Sequence, residues 1–189
     1  MYSIVNNIVL GHGDDETPLA GLGLGALTIG ITALSIGICF AYGAGTFMSQ
    51  EYGRKNYRGM NVYLNRSLFL NTVVFFILLI PTLFIDQIYE AIGQDPEVAA
   101  YGATYVHIIM PFLFLDLINW AFIMFLNSQR IMIVTLLSTA SGAILHLACI
   151  GLFYFYLDWG YEGICWATAM VFVGRFLAVQ TYMRCCAAS

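Results

Sequence analysis

Asp116 is the one acidic residue in the middle of a long apolar run, and Asn119 follows three positions later, on the same face of any helix that carries both. A carboxylate at membrane depth costs about 2.5–3.5 kcal/mol when it faces lipid, so it belongs against protein or a water-filled cavity. Two chemistries fit: a protonatable or substrate-contacting group, and a carboxyl locked into an interhelical hydrogen bond. Asn6 and Asn7 form a second polar pair in an apolar setting, placed to line a cavity or to bridge helices. Thr135, Ser138, Thr139, Gly142 and His146 recur at helical spacing, a ribbon suited to an aqueous path or to satisfying a neighbouring helix. Tyr42, Tyr101 and Tyr105 can contact flat organic cations, although tyrosine is equally at home at a bilayer interface.

Other chemistries find no pattern to support them. His107 and His146 lack an H-E-x-x-H or H-x-x-x-H setting, Ser49 has no neighbouring histidine, and the glycines from Gly21 to Gly25 lack a phosphate-loop lysine. The expectation is no metal, no cofactor and no enzyme activity. A net charge of −4 with only seven basic residues also argues against a nucleic-acid partner. The five cysteines have neither metal-site nor disulfide-framework spacing; Cys185 and Cys186 beside the last apolar segment are candidates for palmitoylation.

The elements that must position these residues follow from composition. The 189-residue chain is 60% hydrophobic and 10% charged, too little charge to coat a soluble surface. Crossing a bilayer takes about 20 apolar residues. Runs of that kind lie at 19–48, 62–85, 98–127, 131–156 and 160–183, preceded by a partial segment at 1–10. No basic leader with a cleavage site precedes them. The fold class is all-α, a polytopic membrane helical bundle whose first helix is truncated. Small residues at Ala33, Gly37, Ala41, Gly45 and Ser49, with Gly21 and Gly25 beginning a similar row, mark a face for close helix packing. Pro111 marks a bend.

Connections alternate in charge. The stretch GHGDDETP is acidic, the next connection holds Arg54, Lys55 and Arg58, the third Asp86, Glu90, Asp95 and Glu97, the fourth Arg130, the fifth Asp158 and Glu162, and the tail Arg184. Basic residues near segment ends mark the cytoplasmic side, which places both termini there. Arg66 and Arg175 lie near that side and can snorkel toward it.

Four stretches resemble the multidrug and toxic compound extrusion (MATE) family: VNNIVLGHGDDETPLAGLGLG (Val5 to Gly25), GTFMSQEYGRKN (Gly45 to Asn56), IGQDPEVAAYGATYVHIIMP (Ile92 to Pro111) and WGYEGICWATAMV (Trp159 to Val171). The resemblance implies the N-terminal six-helix lobe of a transporter with two such lobes, exporting organic cations or amphipathic xenobiotics in exchange for protons, with sodium as the alternative ion. It implies as partners the bilayer, a small-molecule substrate and a second lobe, a homodimer mate or subunits of a membrane complex. Asn6 matches a position where many bacterial members carry an acid, which makes the chain more similar to eukaryotic, proton-coupled members. The expected pathway residues are Asn6, Asn7, Asp116 and Asn119. The alternative function is a non-transporting structural subunit or degenerate half-transporter.

Overall fold

The computed structural model describes residues 2–11 and 16–187. Asp14 and Asp15 of the acidic first connection lie outside the described residues, as do the side chains of Ala33 and Cys186. Helix α1 (Tyr2–Leu10) leads to α2 (Thr17–Ile29), which runs through a π-helical turn at Gly30–Leu34 into α3 (Ser35–Gly53). Then come α4 (Tyr57–Thr82), a short α5 (Ile85–Ala91), α6 (Pro96–Ser128), α7 (Ile133–Ile150), a second π turn at Gly151–Tyr156, and α8 (Gly160–Ala187). Among the described residues, five stretches are long and apolar enough to cross a bilayer: Thr17–Gly53, Tyr57–Thr82, Pro96–Ser128, Ile133–Tyr156 and Gly160–Cys185. The nine residues of α1 reach only about 14 Å.

Local chemistry sets the reversals. Helix α3 ends where Lys55 turns left-handed at φ 58°, and the Asn56 side chain caps α4 by accepting from the Gly59 N–H at 3.1 Å. Asp95 caps α6 through the Glu97 N–H at 2.9 Å, with Pro96 in the first turn where its missing N–H costs nothing. Helix α6 continues through Pro111 as one element.

Helix α6 is the spine. Its residues Val106, Ile109, Leu113, Leu117 and Ala121 are fully buried, and α2, α3, α4 and α8 pack around it. The glycines of the α2–α3 span make the closest approach. A β-carbon on Gly25 would sit 2.8 Å from the Gly102 carbonyl, and one on Gly21 would strike Tyr101. Further along, Gly37 lies against Leu117 and Gly45 against Met124. Gly25 and Gly37 are twelve positions apart, about 3.3 turns of regular helix, which would swing the two rows onto different faces. The π turn between them absorbs one residue, leaving about 3.1 turns and bringing both rows onto α6. The row closes on Met48, which is fully buried; Ser49 is exposed and donates to the Gly45 carbonyl.

The acidic third connection holds α5, which buries Ile85 and Tyr89 on the bundle. Thr28 donates to the Leu24 carbonyl, so the 2.6 Å contact between the Thr28 and Tyr89 oxygens is donated by the tyrosine. Burial pushes the Tyr89 hydroxyl above its ordinary 10.0, and the nearby Asp86 carboxylate reinforces the shift. Because the folded state holds this proton more tightly, Tyr89 contributes stability below the ordinary tyrosine range and loses it as pH rises beyond. Thermal unfolding followed from neutral to alkaline pH should show that decline. Tyr89→Phe should flatten it while costing about 1 kcal/mol at neutral pH.

Candidate functional site

Asp116 sits fully buried on α6 with its Oδ1 2.8 Å from Nη1 of Arg175 on α8. Arg175 therefore does not snorkel: it turns inward, where an opposite charge, an aromatic face and an open path for its stem are all supplied. Its guanidinium carbon lies 5.3 Å from the Trp120 ring centre, one helical turn from Asp116. Its stem crosses Gly142 on α7 so closely that a β-carbon there would stand 2.7 Å from Cγ. Ser138 on α7 donates to the Arg175 carbonyl at 3.3 Å, and the Asn119 amide donates to Ser138 Oγ at 3.4 Å. Asp116, Asn119, Ser138 and Arg175 thus tie α6, α7 and α8 together.

Most of the α7 ribbon lies inside the bundle. Ser138 and His146 are buried, Gly142 receives Arg175, and Thr135 donates to Asn127 Oδ1 at 3.0 Å. Thr139 is exposed and donates back to the Thr135 carbonyl. Ser138 and Gly142 serve as a packing face. From the other side, Asn71 on α4 donates to the Leu117 carbonyl at 3.0 Å.

Asn6 occupies a different place. Its amide donates to Thr168 Oγ1 on α8 at 2.9 Å, and Thr168 in turn donates to the Ile164 carbonyl. A cavity of about 190 Å³ opens beside this pair, lined also by Tyr105, Ile109, Leu22 and Phe172. The Asn6 Oδ1 atom is buried without a hydrogen-bond partner among the described residues, an acceptor with unused capacity at the cavity wall. Asn7, next in sequence, is exposed. The structure thus separates the four sequence-derived candidates: Asp116 and Asn119 in one junction, Asn6 at a cavity, Asn7 on the surface of the lobe. Tyr105 joins Asn6 at the cavity, Tyr101 packs on Tyr161 with ring centres 4.8 Å apart, and Tyr42 is exposed beside Trp120.

Sequence reasoning also missed a polar stripe on α3. Ser35, Cys39, Tyr42, Thr46 and Ser49 are all exposed and fall on one stripe of α3, about 120° round the helix from its glycine row. Three of their hydroxyls bond only to their own helix: Ser35 to the Gly30 carbonyl, Thr46 to Tyr42 and Ser49 to Gly45. The stripe runs about 21 Å along a membrane-length helix. Its signal was the spacing of uncharged polar residues, which the glycine row beside it obscured.

A family model described as MatE matches residues 1–150. The chain belongs to the MatE family. Protein DETOXIFICATION 1 of Arabidopsis thaliana is 28% identical over 185 residues, covering 97% of this chain and 38% of that relative. Multidrug and toxin extrusion protein 1 of Danio rerio is 29% identical, with 97% and 31% covered. Among solved structures, the crystal structure of the eukaryotic MATE transporter AtDTX14 superposes with a TM-score of 0.89 at 20% identity, over 97% of this chain and 41% of that one. An inward-facing multidrug resistance MATE family transporter of the MOP superfamily gives 0.84 at 21% identity, over 96% and 41%. The chain thus spans less than half the length of these MatE relatives. The helical bundle is a MATE lobe, and the protein is an integral, multi-pass membrane protein of a transporter family rather than an enzyme.

Proposed function

We propose that this chain works as one lobe of a secondary antiporter that moves organic cations or amphipathic xenobiotics out against protons, with sodium as the alternative ion. The observation that carries the reading is the exposed polar stripe on α3. Hydroxyls and a thiol over that length gain nothing from lipid, whereas they suit one wall of an aqueous cavity between two lobes. Tyr42 adds an aromatic face for a cation. Asn6 and Asn7 are assigned to the pathway on the cavity side. Asp116 and Asn119 are assigned to the frame that holds α6, α7 and α8. The distribution of basic residues supports a cytoplasmic position for the turn at Arg54 and Lys55 and for both termini.

The opposite wall requires a partner: a second six-helix lobe, a second copy or another membrane subunit. Coupling then requires ion and substrate to bind the inward- and outward-open arrangements unequally. A fluorescent organic cation should be driven across liposomes containing the native assembly by a proton gradient. Flux no greater than in empty vesicles would count for the non-transporting subunit instead. The stripe itself is testable at Thr46, which is exposed and lies outside the groove between α3 and α4. A water-soluble maleimide should label Thr46→Cys in a chain that also carries Cys39→Ser; no labelling above that of Cys39→Ser alone would place the stripe against lipid.

A further inference from the structure

Arg66 stands where a charge is least expected. It lies nine residues into α4, about 14 Å from the start of the helix, on the outward face. The buried face of α4, carrying Met60, Leu64, Ser67, Asn71 and Phe75, points the other way, toward the bundle. Among the described residues no carboxylate pairs with Arg66; its guanidinium carbon lies 5.5 Å from the Tyr63 ring centre. Apolar depressions lie on both sides of it. One, of about 540 Å³, runs over Val62, Phe69 and Leu70 of α4. The other, of about 270 Å³, is the groove between α3 and α4 floored by Phe40, Ala44 and Phe47, with Cys39, at the edge of the α3 stripe, on its rim.

We infer that this surface binds an anionic phospholipid in the leaflet facing the Arg54–Lys55 turn, its phosphodiester on Arg66 and its two chains along the flanking depressions. Charge complementarity supports this occupant: an intramembrane guanidinium without a protein counterion is stabilised by a phosphate drawn down to it. Asn65 lines the same depression as Arg66, and Arg58 lies about 12 Å nearer the start of α4, at the headgroup level. The surface beyond Arg66 favours acyl chains over a helix. Phe69, Phe76, Ile77 and Ile80 are all large and more than half exposed. The small residues that let helices meet closely in lipid are concentrated instead on the α2–α3 row.

The test uses the full chain in nanodiscs with equal amounts of phosphatidylglycerol and phosphatidylcholine, reading the lipid that stays bound by native mass spectrometry. The expected result is about fivefold enrichment of the anionic lipid, the effect typical of one basic side chain at a charged surface. Arg66→Gln should bring the ratio close to one, Arg66→Lys should keep most of it, and Arg130→Gln at the other basic connection should leave it unchanged. Equal retention of both lipids by the native chain, or enrichment that survives Arg66→Gln, would overturn the proposal. A spin label at Phe69→Cys, in a chain that retains Arg66, should report motionally restricted lipid. Spin–spin broadening from a second copy, or burial against another subunit, would overturn it as well.

Discussion

Asp116→Leu alone is expected to destabilise the lobe by about 3–5 kcal/mol, because it leaves the Arg175 guanidinium buried without its counterion. Arg175→Met alone should cost a similar amount by stranding the carboxylate. The double replacement should recover most of the loss, since a buried ion pair exchanged for packed apolar side chains of similar volume is often neutral. Thermal unfolding of the four proteins in one detergent measures this directly. Single variants as stable as the native chain would mean that the charges are not held as a buried pair. The same series separates frame from pathway: a stable double variant that still supports gradient-driven flux assigns Asp116 to the frame, and a stable one without flux assigns it to transport.

Gly21→Val together with Gly25→Val is the second large effect. Each added side chain would press on α6 where the neighbour is backbone or a β-carbon, which cannot rotate away as a side-chain tip can. Overpacking of this kind costs about 1–3 kcal/mol per site. Gly23, on the same helix, faces open space: a β-carbon there would have nothing within 4 Å. Gly23→Ala should be neutral or gain up to about 1 kcal/mol from helix propensity. Equal losses at all three positions would show that the cost comes from the helix itself rather than from its contact with α6.

How much of this was legible depended on the range of the interaction. The long apolar runs are local features, and five membrane-length helical stretches overlap them, the run at 62–85 being divided between α4 and α5. The small-residue row was also legible as a packing face, because its meaning depends only on spacing along one helix. The α6–α8 ion pair was not. Arg175 has the composition of a snorkelling residue near a helix end, and only the folded arrangement brings Gly142 beneath its stem and Trp120 and Asp116 around its head. Asp116 alone suggested a partner without identifying it. Helix α5 was hidden for another reason: an acidic, seven-residue segment has no periodic signal of its own, and Tyr89 is fixed by Thr28, far away in sequence. The polar stripe on α3 was present in the sequence, yet which of its faces is covered is decided by α6 and α4.

The wide turn at Gly30–Leu34 lets the α2–α3 rod carry one residue more than a regular helix would hold between its two glycine rows. Its two halves are phased to a common neighbour by taking up that surplus. Removing one residue within the turn would leave eleven positions between Gly25 and Gly37, about 3.1 turns of regular helix, and keep both rows on α6. Adding one would swing the α3 row off α6 by about 100°. The rod should thus tolerate a shorter chain at this point better than a longer one.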